Sequence, residues 1–323
     1  MNIWPAEMAV YTHVSAESLT AFLARYDVGE LVSAKGIAEG VENSNYLVDT
    51  TAGRYILTLY ERRVAAGDLP FFLDLLDYLA AKGLPVPPAI KDRNGRAIQE
   101  LEGRPACLIR FLPGVSLSHP TLAQARAAGA ALGRLHLAAG DFGMTRPNAL
   151  GVDAWRPLLE RCGNGLNTIA DGLFERIDQA LADVEACWPR DLDNGIIHAD
   201  LFPDNVLVRG EQVTGLIDFY FACTDLLTYD VAVTHSSWAF DAAGEPIPKI
   251  GAEIVDGYDE AFGLTHYERE ALPVLARGAC IRFALTRAWD WLNTPADALV
   301  TRKDPLAYLR RLDWYEANPD NFA

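Results

Sequence analysis

Basic charge is what this chain of 323 residues has least of: 28 lysines and arginines stand against 44 aspartates and glutamates, for a net charge of −16. Broad nucleic-acid and anionic-membrane surfaces select basic patches, so the balance argues against both partners; a polyanionic ligand would have to be held by local charge or through a metal ion. Cysteine is scarce and unpatterned. Cys107, Cys162, Cys187, Cys223 and Cys280 are odd in number and form no Cys-x-x-Cys pair, which speaks against a zinc site or a disulfide framework and for reduced thiols in a cytosolic protein. No apolar run is long enough to span a bilayer, and no basic stretch followed by an apolar block opens the chain, so a cytoplasmic location is expected. Internal repeats and low-complexity tracts are also missing. Residues 1–7 precede a second methionine, Met8, and read as an upstream extension outside the fold.

Half of the residues are hydrophobic, enough for a large core, and the length suggests about two domains. The segment SAESLTAFLARYDVG places Leu19, Phe22, Leu23 and Tyr26 at helical spacing, with Ser15 as N-cap. NYLVDT and RYILTLYE, joined by TAG, alternate and carry β-branched and aromatic residues, which predicts a hairpin. In PFFLDLLDYLAAKG, Phe72, Leu75, Leu76 and Leu79 form one stripe and Gly83 stops the helix. Three short apolar runs between Val86 and Gly114, punctuated by Asn-Gly and Glu-Gly, read as an antiparallel meander. From Leu122 onward the pattern turns to long Ala- and Leu-rich helices, ending with PLAYLRRLDWYE after a polar break at Thr294 to Asp304. The strand signals in that part are GIIHAD, NVLVRG and GLIDFYF.

Those three segments carry the chemistry. HADLFPDN, from His198 to Asn205, places two carboxylates, an amide and an imidazole directly after an apolar run, and Asp218 interrupts a second one. A carboxylate at the start of a tight loop can accept a proton from a hydroxyl, while an Asn carbonyl and a second carboxylate are hard oxygen ligands for Mg2+. Asp200, Asn205 and Asp218 fit those three roles, which phosphoryl transfer requires. The spacing from Asp200 to Asn205 is that of a protein-kinase catalytic loop, and Asp218-Phe219 stands where Asp-Phe-Gly would begin. Turn chemistry alone accounts for Asp204 and Asn205, and Asp204 reads as a solvated loop residue, but not for a carboxylate between Ile217 and Phe219.

HADLFPDNVLV followed by GLIDFYFACTDLLTYDVAV resembles the aminoglycoside phosphotransferase and choline kinase superfamily, small-molecule relatives of protein kinases. Within it, GVENSNYLV, YILTLYE and IDFYFACTDLLTYD are most similar to the type II homoserine kinases, over about Val14 to Tyr315. The resemblance implies an α+β, bilobal protein-kinase-like fold, with a sheet-rich N-terminal nucleotide-binding lobe (1–112) and a mainly helical C-terminal lobe (113–323). It implies ATP and Mg2+ as cofactors and phosphorylation of the L-homoserine hydroxyl, a step feeding threonine synthesis. Asp200 would be the base and Asn205 and Asp218 the metal ligands, with His198 and Asp230 in structural support. Other hydroxyl acceptors (choline or ethanolamine, methylthioribose, an aminoglycoside, another hydroxy amino acid) and a non-catalytic nucleotide-binding module stand as alternatives.

At the nucleotide end, Asn43, Ser44 and Asn45 would offer phosphate donors from a loop that lacks Gly-x-Gly-x-x-Gly. The backbone of Ile109, Arg110, Phe111 and Leu112 would meet the adenine edge. Kinase-like folds place a Lys or Arg on the third strand where YILTLYE has Thr58, so the phosphate-binding cation is unassigned among Lys35, Arg62 and Arg63. At the acceptor end, an amino acid needs a carboxylate clamp, for which bidentate Arg is the usual reader. Arg282 and Arg287 are candidates there, with Tyr220 and Asp225 as further cleft residues.

Overall fold

The computed structural model describes residues 12–37, 43–61, 66–241, 243–294, 302–320 and 322. The described residues up to Pro113 form one compact unit and those from Gly114 onward a second. Residues 1–7, Gly40, Arg62 and Arg63 lie outside the described residues, as does most of the polar break before the last helix.

The first unit is sheet-rich. Helix α1 (Ala16–Leu23) opens at Ser15, whose hydroxyl accepts the Ser18 N–H, and buries Leu19, Phe22 and Leu23. Strands β1 (Leu31–Ile37), β2 (Asn43–Thr50) and β3 (Gly53–Tyr60) are consecutive and antiparallel, and β2 and β3 form the expected hairpin. Helix α2 (Leu69–Ala81) buries Phe72, Leu75, Leu76 and Leu79. Strands β4 (Ala89–Ile90), β5 (Gln99–Leu101) and β6 (Arg104–Arg110) follow. They are not a meander: β4 and β5 pair with successive halves of β6, around Ile109 and Ala106 respectively, and the sheet order is β1-β2-β3-β6-β4. β1 escaped the sequence reading because it is a largely exposed edge without apolar alternation; the free ladder of β2 gives it a partner.

The second unit is mainly helical. Short β7 (Val115–Ser116) is followed by α3 (Leu122–Ala139), α4 (Val152–Cys162) and α5 (Leu173–Cys187). Then come β8 (Asn194–Ile197), β9 (Val206–Arg209), β10 (Gln212–Leu216) and β11 (Cys223–Leu226), and helices α6 (Leu227–Trp238), α7 (Pro248–Ala261), α8 (His266–Asn293) and α9 (Leu306–Ala317). β9 and β10 form a hairpin with β7 on its outer side, and β8 pairs with β11. The run GLIDFYF is therefore not one strand. It ends at Leu216, turns through left-handed Asp218 (φ 66°), makes one 3-10 turn over Phe219–Phe221, and resumes as β11.

Two helices of this unit approach closely enough to need glycine. A Cβ on Gly129 of α3 would lie 2.0 Å from the Ile254 carbonyl oxygen, and one on Gly257 of α7 would lie 2.1 Å from that of Arg126. This near-contact of backbones seats His136, late on α3, against Tyr258 on α7. No helix of the described residues is long and apolar enough to cross a membrane. The five cysteines are free, four of them buried.

Candidate active site

The loop between β8 and β9 starts with a conformation that Ala does not choose freely. Ala199 has φ 62°, a left-handed geometry that costs an ordinary residue roughly 1–2 kcal/mol. Its peptide is clamped on both sides. The Ala199 N–H donates to Asp230 Oδ1 at 2.8 Å, its carbonyl accepts from Arg282 Nη1, and the preceding His198 N–H donates to Asp230 Oδ2 at 2.6 Å. Asp230 sits in the first turn of α6, wholly buried, and also accepts from His136 Nε2 at 3.1 Å. Burial by itself would raise its pKa; the hydrogen bond and charge of His136, with the His198 contacts, outweigh that and hold the carboxyl below the usual carboxylate range.

His198 is fully buried with both ring nitrogens engaged. Nδ1 accepts the Asp200 N–H at 3.3 Å, so the proton is on Nε2, which donates to the Ile217 carbonyl at 2.9 Å. Burial lowers its pKa, so the ring is neutral. It acts as a strut between the Asp200 loop and the residue before Asp218.

Asn205 closes the same loop. Its amide nitrogen donates to the Asp200 carbonyl at 2.7 Å and lies 3.4 Å from Asp200 Oδ2, while its main-chain carbonyl accepts the Ile217 N–H at 3.0 Å. With the amide nitrogen so engaged, Oδ1 is the side chain's remaining ligand atom. Asp218 follows in the left-handed region, its side chain open to solvent but crowded by protein. Partial desolvation, together with the Asp204 carboxylate, pushes its pKa up to about 6 against the opposing charge of Lys303. Two carboxylates that repel each other, plus an amide oxygen, are a hard-oxygen set suited to a small divalent cation that also takes phosphate and water ligands. Among the described residues, no group of three or more His, Cys, Asp or Glu stands together as a metal cage.

The other expected residues separate clearly. Arg282 is 2% exposed and bound to the Ala199 carbonyl; this corrects its assignment to a carboxylate clamp, because it supports the loop from inside. Asp225, on β11, accepts from the Asn148 amide at 2.6 Å and from the Leu226 N–H at 2.8 Å, and burial raises its pKa. Tyr220 lies half-buried in the 3-10 turn after Asp218. Arg287 lies half-buried on α8, where burial lowers its pKa against smaller opposing influences that include the Asp200 charge. Trp238 is core, its Nε1 donating to the Leu201 carbonyl at 2.9 Å.

In the first unit, Asn43, Ser44 and Asn45 belong to strand β2, not to a loop. Ser44 Oγ donates to Glu61 and accepts the Thr12 N–H, and Asn45 Oδ1 accepts from Thr58 Oγ1 at 2.8 Å. Ser44 thus joins the internal bonding of the unit, and Thr58, where a cation is usual, is 2% exposed and pairs across to Asn45. Asn43 Oδ1 is buried without a partner among the described residues. Ile109 and Arg110 end β6, with the Arg110 N–H on the Pro88 carbonyl at 3.1 Å; Phe111 and Leu112 lie beyond the last ladder pair. Sequence reasoning missed His136, Lys303 and the partnership of Asp204 with Asp218, since all three arise from distant segments or a fold-back.

Residues 33–272 match the phosphotransferase enzyme family. The chain belongs to that family and, within it, to the homoserine kinase group. It is 53% identical over 312 residues to the homoserine kinase of Gluconobacter oxydans (strain 621H), covering 96% of this chain and 99% of that one. The homoserine kinase of Methylobacterium sp. (strain 4-46) is also 53% identical, over 95% and 96% of the two chains. Among solved structures, an amicoumacin kinase in complex with AMP-PNP, Ca2+ and Ami shares the fold, with a TM-score of 0.72, 94% of each chain covered and 15% identity.

Proposed function

We propose that this protein transfers the γ-phosphoryl group of ATP to the side-chain hydroxyl of L-homoserine. The observation that supports the chemistry is the hydrogen-bonded path from Asp200 through Asn205 to Ile217, which ties Asp200, Asn205 and the residue before Asp218 into one turn pair. The end-to-end likeness to homoserine kinases supports the acceptor.

In this reading the Asp200 carboxylate orients the acceptor hydroxyl and takes its proton as the oxygen attacks the γ-phosphorus and the ADP oxygen departs. Asn205 Oδ1 and Asp218 would hold Mg2+, which would neutralise phosphate charge. His198, Asp230 and Arg282 fix the loop and do no proton chemistry. Asn43, the amide nitrogen of Asn45 and the backbone of Phe111 and Leu112, beyond the ladder that holds Ile109 and Arg110, serve the nucleotide. Tyr220 and Asp225 serve the acceptor.

A coupled ADP-release assay with Mg-ATP against L-homoserine, L-serine, L-threonine, choline, methylthioribose and kanamycin tests the proposal. Turnover with L-homoserine far above the others is the expected result. A different preferred acceptor would overturn the substrate, and ATP binding without any turnover would favour a non-catalytic module.

A further inference from the structure

The arginines of α8 and α9 have different fates. Arg277 lies 3.8 Å from Glu316, and Arg310 pairs with Asp304. Arg282 and Arg311, 2% and 8% exposed, donate to the main-chain carbonyls of Ala199 and Ser236. Arg287 alone of these is both reachable and, among the described residues, without a carboxylate at ion-pair distance. Its Nη1 donates to the Asp304 carbonyl at 3.2 Å, and its guanidinium carbon stands 4.6 Å from the centre of the Tyr308 ring.

An aromatic chain fixes where this guanidinium is. Phe202, two residues beyond Asp200, packs edge-on against Phe283 at 5.1 Å, and Phe283 stacks on Tyr308 at 4.8 Å. Phe283 and Arg287 are one turn apart and share a face of α8. The Tyr308 hydroxyl is buried and has no hydrogen-bond partner among the described residues. A half-buried guanidinium with no carboxylate partner and an unsatisfied hydroxyl on one ring, beside the Asp200 loop, form a place that an anionic ligand would complete. Burial lowers the Arg287 pKa while, among smaller influences, the Asp200 charge raises it; the group remains a cation.

We propose that Arg287 reads the carboxylate of the amino-acid acceptor and so selects acceptors that carry one. With Nη1 on Asp304, the Nε and Nη2 edge is the one that can take a carboxylate in two parallel hydrogen bonds. Tyr308 backs the guanidinium and holds it in plane. The inference rests on the acceptor reading given above.

The test compares L-homoserine with 3-aminopropan-1-ol, the same molecule with hydrogen in place of the carboxylate. The readout is the ratio of their kcat/KM values in the wild type, Arg287→Met and Arg287→Lys, with thermal unfolding to check folding. The wild type is expected to favour L-homoserine strongly. Arg287→Met should lower the ratio about 30- to 100-fold, as expected for losing a charge-assisted pair, mainly through KM for L-homoserine, with Arg287→Lys in between. A ratio unchanged in folded Arg287→Met, whether both activities fall together or neither does, would overturn the inference, as would an unchanged ratio in Arg287→Lys if the Met variant does not fold and kcat/KM drops for both acceptors alike. Failure of the wild type to use L-homoserine would instead bring down the acceptor reading, before any variant is made, and this inference with it.

Discussion

The carboxylate of Asp230 accepts the main-chain N–H groups of both His198 and Ala199, at 2.6 and 2.8 Å, and thereby holds Ala199 in its left-handed conformation one residue before Asp200. The Asp200 loop is thus anchored from helix α6, and that anchor is itself braced by His136.

Asp230→Ala would leave two loop N–H groups and His136 without their acceptor in a fully buried place. Removing one partner of a buried charged network costs about 3–5 kcal/mol. Urea unfolding should show a loss of that size, and turnover should fall in whatever fraction remains folded, because only the Arg282 bond to the Ala199 carbonyl would then remain of the clamp described above.

Asp200→Asn should behave differently. Asn205 bonds chiefly to the main-chain carbonyl of Asp200, at 2.7 Å, rather than to its carboxylate at 3.4 Å. The fold should survive with a melting temperature near that of the wild type, while kcat drops about 10²- to 10⁴-fold if Asp200 is the base, as proposed. Wild-type turnover in this variant would remove Asp200 from the role of base.

Gly129→Ala probes the close approach of α3 and α7. The added methyl would meet the Ile254 carbonyl oxygen at 2.0 Å, a distance that forces the helices apart. Overpacking of this kind costs about 1–3 kcal/mol, and the displacement should loosen the His136 contact to Tyr258. Chemical unfolding should register the first effect, and hydrogen exchange at the His198 and Ala199 amides the second.

Acid should weaken the fold through its buried histidines. His235 is buried, bonded to Tyr315, and held neutral, with its pKa lowered to about 3; burial lowers that of His198 as well. A histidine whose folded pKa is depressed stabilises fully above its unfolded pKa near 6.5, and that contribution is lost as pH falls toward the folded value, because only the unfolded chain takes up the proton. By pH 5, His235 alone should account for about 2 kcal/mol of lost stability. Urea midpoints at pH 7.5 and 5 test this, and His235→Asn should flatten the dependence. Asp230, with its depressed pKa, contributes its loss only at lower pH, within and below the usual carboxylate range.

Most regular elements were legible where the pattern was strong. The stripe of α2, the α1 cap at Ser15 and the β2–β3 hairpin were read from periodicity and turn residues alone. Weakly patterned pieces were not: exposed β1, β11 and the order in which the two short strands pair with β6 depend on an edge offered by another strand. At the site, Asp200, Asn205 and Asp218 stood out because a polar cluster between apolar runs is locally unusual. Arg282 and Arg287 were indistinguishable, five residues apart on one helix. Only packing turned one toward the Ala199 carbonyl and the other toward Tyr308.

The sequence by itself determined what depends on neighbours along the chain: helix stripes and caps, the hairpin, the acidic balance, and the spacing of the three oxygen-bearing residues on one turn pair. Tertiary structure decided what depends on neighbours across it. Asp230 reaches back to His198 and Ala199, His136 on α3 meets Asp230 of α6 and Tyr258 of α7, and Arg287 has no carboxylate at ion-pair distance among the described residues while the arginines around it are engaged. The physical reason is range: propensity and periodicity act over one or two turns of chain, whereas desolvation and pairing of a charge are set by whichever distant segment folds against it.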